Sequence, residues 1–529
     1  MVALPKSKTI AKDGENRMSR STTEDWDEER DVRPNALVVV LGDVGRSPRM
    51  CNHALSLTTE LNYNVFLLGY NDTTPHPAIA LNPNIRIVPV RPPPDLPRFV
   101  PDPVALVFKL LWTNFFLFTA MVPFLVHLIL LQNPPGLPTM FICWIISHLK
   151  RANWIIDWHN YTYKMLQHKW NLEMDFSKKS RTAATEAQQE VAKKRQTREE
   201  REAALREKKR AARAEKKPAW NLRKFFVEMV YRYEGFFGRR CTGSICVSKA
   251  MRADMRENWN VLSSVFYDRP PAFKFQKWTL SDHHALFYRL AHEDGIECFK
   301  GTDSREAATE YTAFTYKDTE GAVHLRDDRC LLLISSTSWT PDEDFGILLD
   351  ALCRYDRARA SIPDAPDVIC VVTGRGEQKQ FYLEKISRLQ LSHVRIITPW
   401  LEAVDYPRLL AASDLGVCLH TSTSGLDLPM KVVDMLGAGI PVLAKNYHCI
   451  RELVVERENG RIFDTAAELS HLLQTLTTGF PSANSDLHLL RTKLADDEFD
   501  TWEDTWRSVC APIMRAEQNL HLERTLAGR

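Results

Sequence analysis

Apolar residues along this chain come in short unbroken runs separated by polar, helix-spaced stretches. Residues 36–41 read ALVVVL, which predicts a strand buried on both faces, as in a parallel sheet. A glycine-containing turn follows, and a helix is expected to about Leu61. Further strands are expected at 64–70, 84–90, 130–133, 154–157 and 243–247. Residues 225–238 have helical apolar spacing, and 265–271 read as a strand ending at a junction. The pattern restarts at Cys330. Strands are expected at 330–335, 368–372, 394–398 and 415–419, with helices at 343–352, from the turn after 373 to 389, and at 402–412. Two series of alternating strands and helices predict two Rossmann-like α/β domains, each a doubly wound parallel sheet. Facing one another, they leave a cleft where their strand C-termini meet.

Four stretches break this pattern. Residues 1–34 are polar and charged without the apolar core of a signal peptide, and are expected to be disordered. Residues 104–131 are apolar, with no Lys, Arg, Asp or Glu from Leu110 to Leu131. That length reaches the roughly 20 residues that span a bilayer. Pro123, His127 and the placement between two strands of one sheet favour a helix or hairpin lying in the membrane plane over a true span or a buried helix. Residues 177–217 hold 15 basic and 7 acidic side chains. They read as a solvated insertion, a long helix or partly disordered, with anionic lipid headgroups as the functional alternative. Residues 271–329 read as a linker or insertion, polar and irregular from 282 to 328. The domains are thus 35–270 and 330–529, and a last helix, 500–526, is expected to cross the junction.

Composition adds exclusions. A chain of 529 residues exceeds one core. Its net charge of +2 gives no global field for nucleic acid, and no basic-aromatic pattern reads single strands. Eleven cysteines fall singly without CxxC pairs, which reads as free thiols in a reducing compartment. No zinc spacing, Walker motif, GxSxG or HExxH is present, so no metal site is expected.

The richest stretch is 421–444, TSTSGLDLPMKVVDMLGAGIPVLA. It reads as strand end, glycine loop, helix, two glycines and buried strand. Pro429 suits a helix start, and Gly437 and Gly439 a helix stop. The loop amides near Ser424 and Gly425, the helix dipole and Lys431 suit a diphosphate. Asp434, on the same face as Lys431, can accept from sugar hydroxyls. Gly42-Asp43-Val44-Gly45 resembles a phosphate-binding turn, with Arg46 and Arg49 able to hold a second anionic group. Asp157-Trp158-His159-Asn160-Tyr161 follows a strand and faces the cleft, with His159 a candidate base. Gly374-Arg375-Gly376 is a strand-end loop whose arginine can bind phosphate or stack near a base. Residues 335–345, SSTSWTPDEDF, combine helix-capping residues with a possible cleft floor, and the prolines of 131–138 fix a rigid connection after the apolar segment.

The segments GDVGRSPRM, LQNPPGLP, DWHNY, SSTSWTPDEDF, TPWLEAVDYP and TSTSGLDLPMKVVDMLGAGIPV together resemble the chitobiosyldiphosphodolichol beta-mannosyltransferase family, from about Ala36 to Trp506. The resemblance implies a GT-B fold and an inverting transfer of mannose from GDP-mannose, in beta-1,4 linkage, to N,N'-diacetylchitobiosyl-diphosphodolichol. It implies the cytosolic face of the endoplasmic reticulum membrane, with other dolichol-pathway mannosyltransferases as candidate partners. Donor binding then falls to Gly374, Arg375, Ser424, Gly425, Asp427, Lys431 and Asp434, and the acceptor diphosphate to Gly42, Gly45, Arg46 and Arg49. Asp43 and His159 are both candidate bases. GDP-mannose is a substrate, and no cofactor or metal is expected to be required. The family's usual N-terminal apolar anchor is not seen here, so 104–131 is expected to make the membrane contact unless the chain start is incomplete. Relative to retaining GT-B transferases, Asp434 stands for the second acid of their Glu-x7-Glu pair and Leu426 occupies the first. A lipid-linked transferase with another nucleotide-sugar donor, or a silent scaffold, are the alternatives.

Overall fold

The computed structural model describes residues 33–97, 102–176, 222–270, 278–301, 308–340, 343–362, 364–402, 404–496 and 500–527. The expectations for 1–32 and 177–217 lie outside them. The first domain carries β1 (Asn35–Asp43), α1 (Pro48–Leu61), β2 (Asn64–Tyr70), α2 (Pro77–Ala80), β3 (Ile85–Pro89) and α3 (Asp102–Met121). It continues through β4 (Leu128–Asn133), α4 (Thr139–Lys150), β5 (Asn153–Trp158), α5 (Thr162–Lys169), α6 (Leu222–Gly238), β6 (Gly243–Cys246), α7 (Lys249–Trp259) and β7 (Ser264–Val265). All strands are parallel, in the order β3-β2-β1-β4-β5-β6-β7.

The pleat of β1 explains why its run is apolar throughout. Leu37 and Val39 point into one core, shared with α3, α4, α5 and α6. Ala36, Val38 and Val40 point into the other, beneath α1 and the C-terminal helix. Each fully buried aliphatic side chain contributes roughly 1.5–3 kcal/mol.

Next come α8 (Leu280–His292) and an antiparallel sheet of β8 (Ala308–Tyr311), β9 (Thr315–Asp318) and β10 (Val323–Leu325). This corrects the expectation of an irregular linker. The stretch is polar because most of it faces solvent, yet Phe287, Phe299 and Phe314 converge and join the core of the second domain. Thr279 and Asp282 form a reciprocal cap that starts α8.

The second domain holds β11 (Leu331–Ser336), α9 (Phe345–Arg359), β12 (Val368–Thr373), α10 (Lys379–Ile386), β13 (Val394–Ile397), α11 (Asp405–Ala412) and β14 (Leu415–Cys418). Then follow α12 (Met430–Gly437), β15 (Val442–Lys445), β16 (Gly460–Phe463), α13 (Ala466–Thr477), α14 (Asp486–Asp496) and α15 (Trp502–Ala527). Its sheet is parallel, in the order β13-β12-β11-β14-β15-β16. The strand order reverses direction between β1 and β4 in one sheet and between β11 and β14 in the other, and such switch points open crevices at the strand C-termini.

The expected junction-crossing helix is α15. It returns to the first domain, where Trp502 donates to Ser56 Oγ (2.9 Å) and Trp506 to His53 Nδ1 (2.9 Å). The apolar segment 104–131 is divided. Its first part is α3, while Leu128–Leu131 is the start of β4, paired with β1 and β5 at the sheet centre. A strand held by two neighbours cannot belong to a membrane span. Among the described residues no helix is long and apolar enough to cross a membrane.

Candidate active site

The two switch points face each other across a cavity of about 250 Å3, lined by Arg46, Arg49, Gln132, His159 and Asp268 from one domain and Asp427 and Met430 from the other. The domains are held closed around it. Asn160 Nδ2 donates to Thr423 Oγ1 (3.1 Å) and Asp427 Oδ1 (3.0 Å). Ser248 Oγ donates to the Leu426 carbonyl. Glu452 accepts from the amides of Lys249 (2.7 Å) and Ala250 (2.8 Å), at the N-terminus of α7, and from the Tyr267 hydroxyl (2.8 Å).

On the first-domain side, β1 ends at Asp43. Its carboxylate accepts from the amides of Asp72 (3.2 Å) and Thr73 (3.1 Å) and from Thr73 Oγ1 (2.6 Å). Desolvation pushes this carboxyl up, but those hydrogen bonds outweigh it and hold it below the usual carboxylate range. Asp43 therefore clamps the loop after β2 instead of standing free. Gly45 belongs to the same clamp: a Cβ there would lie 2.4 Å from the Thr73 carbonyl oxygen. Gly42 has open space beside it, apart from a Val40 methyl at 3.9 Å. Arg46 is 77% exposed at the cavity rim, 3.4 Å from Asp43.

Arg49 is a correction. Pro48 starts α1, and Arg49 turns inward, where it is 4% exposed. Its Nε and NH2 donate to the two Asp157 oxygens (2.8 and 2.9 Å), NH1 to Asp268 (2.8 Å) and NH2 also to the Phe266 carbonyl (3.1 Å). Its charge is spent on internal carboxylates, so it is not a free receiver for an acceptor diphosphate.

Asp157, wholly buried at the end of β5, is the hub of this cluster. Burial alone would push its carboxyl up, but the Arg49 guanidinium and bonds from His159 and His53 hold it well below its usual range. His53 accepts from Trp506 at Nδ1, so its proton sits on Nε2, facing Asp157 at 3.1 Å. Burial pushes the His53 pKa down, which keeps that ring neutral. His159 Nε2 lies 2.9 Å from the same Asp157 oxygen. An ionised carboxylate only accepts, so Nε2 carries a proton, and the neutral form of the ring has its lone pair on Nδ1.

On the opposite side, Lys431 is the second residue of α12 and Pro429 the residue before the helix, so the lysine lies nearer the helix start than expected. Its ammonium bonds Glu343, a 2% exposed carboxylate that also accepts from Thr337 Oγ1 (2.8 Å) and the Ser338 amide (2.6 Å). His420 joins them, with Nδ1 3.5 Å from Glu343 and Nε2 3.7 Å from Asp427. Burial lowers Glu343's charge preference, but His420 and Lys431 outweigh it and hold its carboxyl far below the usual range. For His420, burial pulls the pKa down while Asp427 and Glu343 lift it, leaving it pushed up to about 9. It is an imidazolium at neutral pH. Lys431 and His420 thus place two cations beside the cleft.

The amide cradle expected at Ser424 and Gly425 is turned inward. Both amides donate to Ser422 Oγ (3.2 and 2.9 Å), and Gly425 has φ +74°. Asp427 accepts from the hydroxyls of Ser422 and Ser424. Asp434 is half-buried beside Tyr406, whose phenol is pushed up by burial and by that carboxylate. Tyr406 meets Ser336 Oγ at 2.9 Å, and Thr373 Oγ1 donates to the same Ser336 oxygen (3.2 Å). These hydroxyls make a polar floor at the ends of β11 and β12. Arg375 is exposed and lies 3.6 Å over the Trp400 ring. Gly374 has φ +118°, and a Cβ there would sit 1.9 Å from the Thr337 carbonyl oxygen. Gly374→Ala is expected to shift this loop off Thr337, lowering stability by about 1–3 kcal/mol, with a raised KM for the donor. Thermal melts and donor titration read both.

Residues 322–479 match the model of the glycosyl transferases group 1 family. Over 493 residues the chain is 38% identical to the chitobiosyldiphosphodolichol beta-mannosyltransferase of Mus musculus, covering 91% of this chain and 89% of the relative. The protein of that name from Homo sapiens is 36% identical, covering 92% and 94%. The chain belongs to the chitobiosyldiphosphodolichol beta-mannosyltransferase family. It is a glycosyltransferase. A relative named UDP-glycosyltransferase TURAN, from Arabidopsis thaliana, is also 36% identical, over 91% of this chain and 97% of that one. Among solved structures, the sucrose-phosphate synthase from Thermosynechococcus elongatus superposes with a TM-score of 0.53 at 12% identity, covering 94% and 99%. The Anabaena HepE structure in complex with UDP and glucose gives 0.51 at 14% identity, covering 94% and 100%. At such identities they establish the GT-B fold alone.

Within this beta-mannosyltransferase family member, the structure brings His159, Arg46 and Asp427 to one cavity, and Lys431 follows the lining residue Met430 with its ammonium on Glu343. Arg49 lines the same cavity with its guanidinium paired to Asp157 and Asp268, and Asp43 is engaged by Thr73. Sequence reasoning passed over Asp157 as a hub, Glu343 as the lysine's partner, and His420. The available signals were the acid at the head of the Asp157-Trp158-His159 motif and Glu343 beside Asp344, which caps α9.

Proposed function

We propose that this chain moves mannose from GDP-mannose to O4 of N,N'-diacetylchitobiosyl-diphosphodolichol, in beta-1,4 linkage, at the cytosolic face of the endoplasmic reticulum membrane. Family membership supports the substrates. The single observation that supports the mechanism is the opposition across one cleft of a carboxylate-oriented imidazole, His159, and the cationic pair Lys431 and His420.

The transfer is one in-line displacement. His159 Nδ1 takes the proton of the acceptor O4 as the O4–C1 bond forms on one face of mannose. The bond from C1 to the β-phosphate oxygen breaks on the opposite face, which inverts the anomeric centre. Its electron pair leaves with GDP. Asp157 stabilises the imidazolium that His159 becomes. Lys431 turns from Glu343 to the diphosphate and, with His420, neutralises the departing charge. Asp434 and the Ser336–Tyr406 floor receive sugar hydroxyls, and Arg46 meets the acceptor diphosphate. No cofactor is required, because these side chains supply both the base and the counter-charge.

A uridine-linked donor is the second reading, favoured by the name of the plant relative. Purified protein given labelled GDP-mannose or UDP-N-acetylglucosamine, each with the chitobiosyl lipid, is expected to form product from the guanosine donor. Product from the uridine donor alone reverses the assignment.

A further inference from the structure

Large apolar side chains on the surface are concentrated on one face. Among the described residues, twelve of the twenty exposed large hydrophobics belong to α3, α4, α5, α6 or the turn after α3. On α3 the exposed residues are Phe108, Leu111 and Phe115, continued by Val122 past its end. On α6 they are Leu222, Phe225, Met229 and Phe236. Both sets fall at i, i+3, i+7 and i+14, a single stripe along a helix. The opposite faces of these helices enter the same core, through Leu117 and Met121 of α3, Ile142 and Ile146 of α4, and Val227 and Val230 of α6. They therefore form one layer, and their stripes share one outer surface.

Acids are few on this layer: Asp102 opens α3, and Glu173 and Asp175 follow α5. Neither α4 nor α5 contains an acid. On α6, Glu228 pairs with Arg232 (2.6 Å), and Glu234 is buried, holding the Thr162 and Tyr163 amides. Lys109, Arg151, Arg223, Lys224, Arg239 and Arg240 are exposed around the apolar stripes. The Arg240 guanidinium lies 3.4 Å over the Phe236 ring, pairing a cation with an exposed aromatic. Apolar stripes bordered by cations match the boundary between acyl chains and anionic headgroups.

We propose that the outer face of α3, α4 and α6 beds into the headgroup layer of an anionic bilayer leaflet. This deepens the reading given above, and rests on it for the lipid-linked acceptor. The rigid segment after β4 leads into α4 at the cleft end of the sheet. A leaflet on this layer therefore presents an acceptor diphosphate beside the cavity without any helix crossing the membrane.

The test uses full-length protein and vesicles of phosphatidylcholine with or without phosphatidylserine. Wild type is expected to float with the anionic vesicles, and less so in high salt. Leu111→Glu/Phe115→Glu and Phe225→Glu/Met229→Glu are each expected to weaken that binding about tenfold or more. Leu489→Glu, at an exposed site on α14, is the control and binds as wild type. Melting temperatures identify any pair that misfolds, and the two pairs lie on separate helices. Unchanged vesicle binding by both pairs overturns the proposal, as does equal binding to neutral vesicles. Self-association lost in the variants, with vesicle binding intact, assigns the face to a second copy and also overturns it. Transfer to a short-chain, detergent-soluble acceptor is retained in all variants. Wild type without that transfer refutes the proposed reaction, while the vesicle result still decides the membrane face.

Discussion

His159→Ala lowers kcat for mannosyl transfer by about 10²–10⁴-fold, the range of a lost general base. The imidazole lies at the cavity wall, and its one hydrogen-bonded nitrogen is held by Asp157 at 2.9 Å. That bond fixes which nitrogen can accept a proton. The side chain is 23% exposed and makes no other side-chain bond among the described residues, so its removal is expected to leave the melting temperature nearly unchanged. Donor KM stays near the wild-type value, because His159 acts on the acceptor. Asp43→Asn is the comparison. An amide oxygen can still accept from Asp72 and Thr73, so the loss there is about tenfold or less. Single-turnover transfer with a soluble acceptor separates the two. An Asp43→Asn loss matching that of His159→Ala would return the base to Asp43.

Removing the lysine on the other wall gives the second large effect. Lys431→Ala lowers kcat by about 10²–10³-fold, as expected for a lost donor to a leaving-group oxygen. The fold tolerates the change, because Glu343 keeps His420, the Thr337 hydroxyl and the Ser338 amide as partners. Affinity for GDP, measured by calorimetry, falls in parallel. Glu343→Gln behaves differently. It leaves Lys431 and His420, 26% and 22% exposed, side by side without the carboxylate they share, so their repulsion lowers stability. Its first symptom is a lower melting temperature. A Lys431→Ala enzyme with near-normal turnover and a weaker fold would mean that the lysine serves Glu343 and not the donor.

These experiments touch residues whose legibility in the sequence differed. The strands were legible because parallel strands are buried on both faces, so residues 36–41 and 65–68 stand out as unbroken apolar runs. The same rule misled at 104–131, where a helix and a core strand are both apolar and only Pro123 and His127 mark the break between them. Residues 282–328 misled in the opposite sense. A small sheet with one wet face looks irregular until Phe287, Phe299 and Phe314 are seen to converge. At the site, motif residues at strand ends were readable, since loops there must face the cleft. Pairings were not. Arg49 and Asp157 are 108 residues apart, and Glu343 and Lys431 are 88 apart. No local spacing says which carboxylate a cation will choose. A helix that turns Arg49 inward makes it structural, while Arg46, three residues earlier, remains at the rim.

The return of α15 also has a consequence for biosynthesis. Trp502, Trp506, Cys510, Ala511 and Met514 complete the core under α1 and cover Ser56 and His53. These residues follow the whole second lobe in the chain, so the lobe translated earlier is completed after the later one. Until they emerge, α1 covers that side of the sheet without them and the proton on His53 has no indole to place it. The second lobe, continuous from 278 onward apart from this tail, can close while the first still waits.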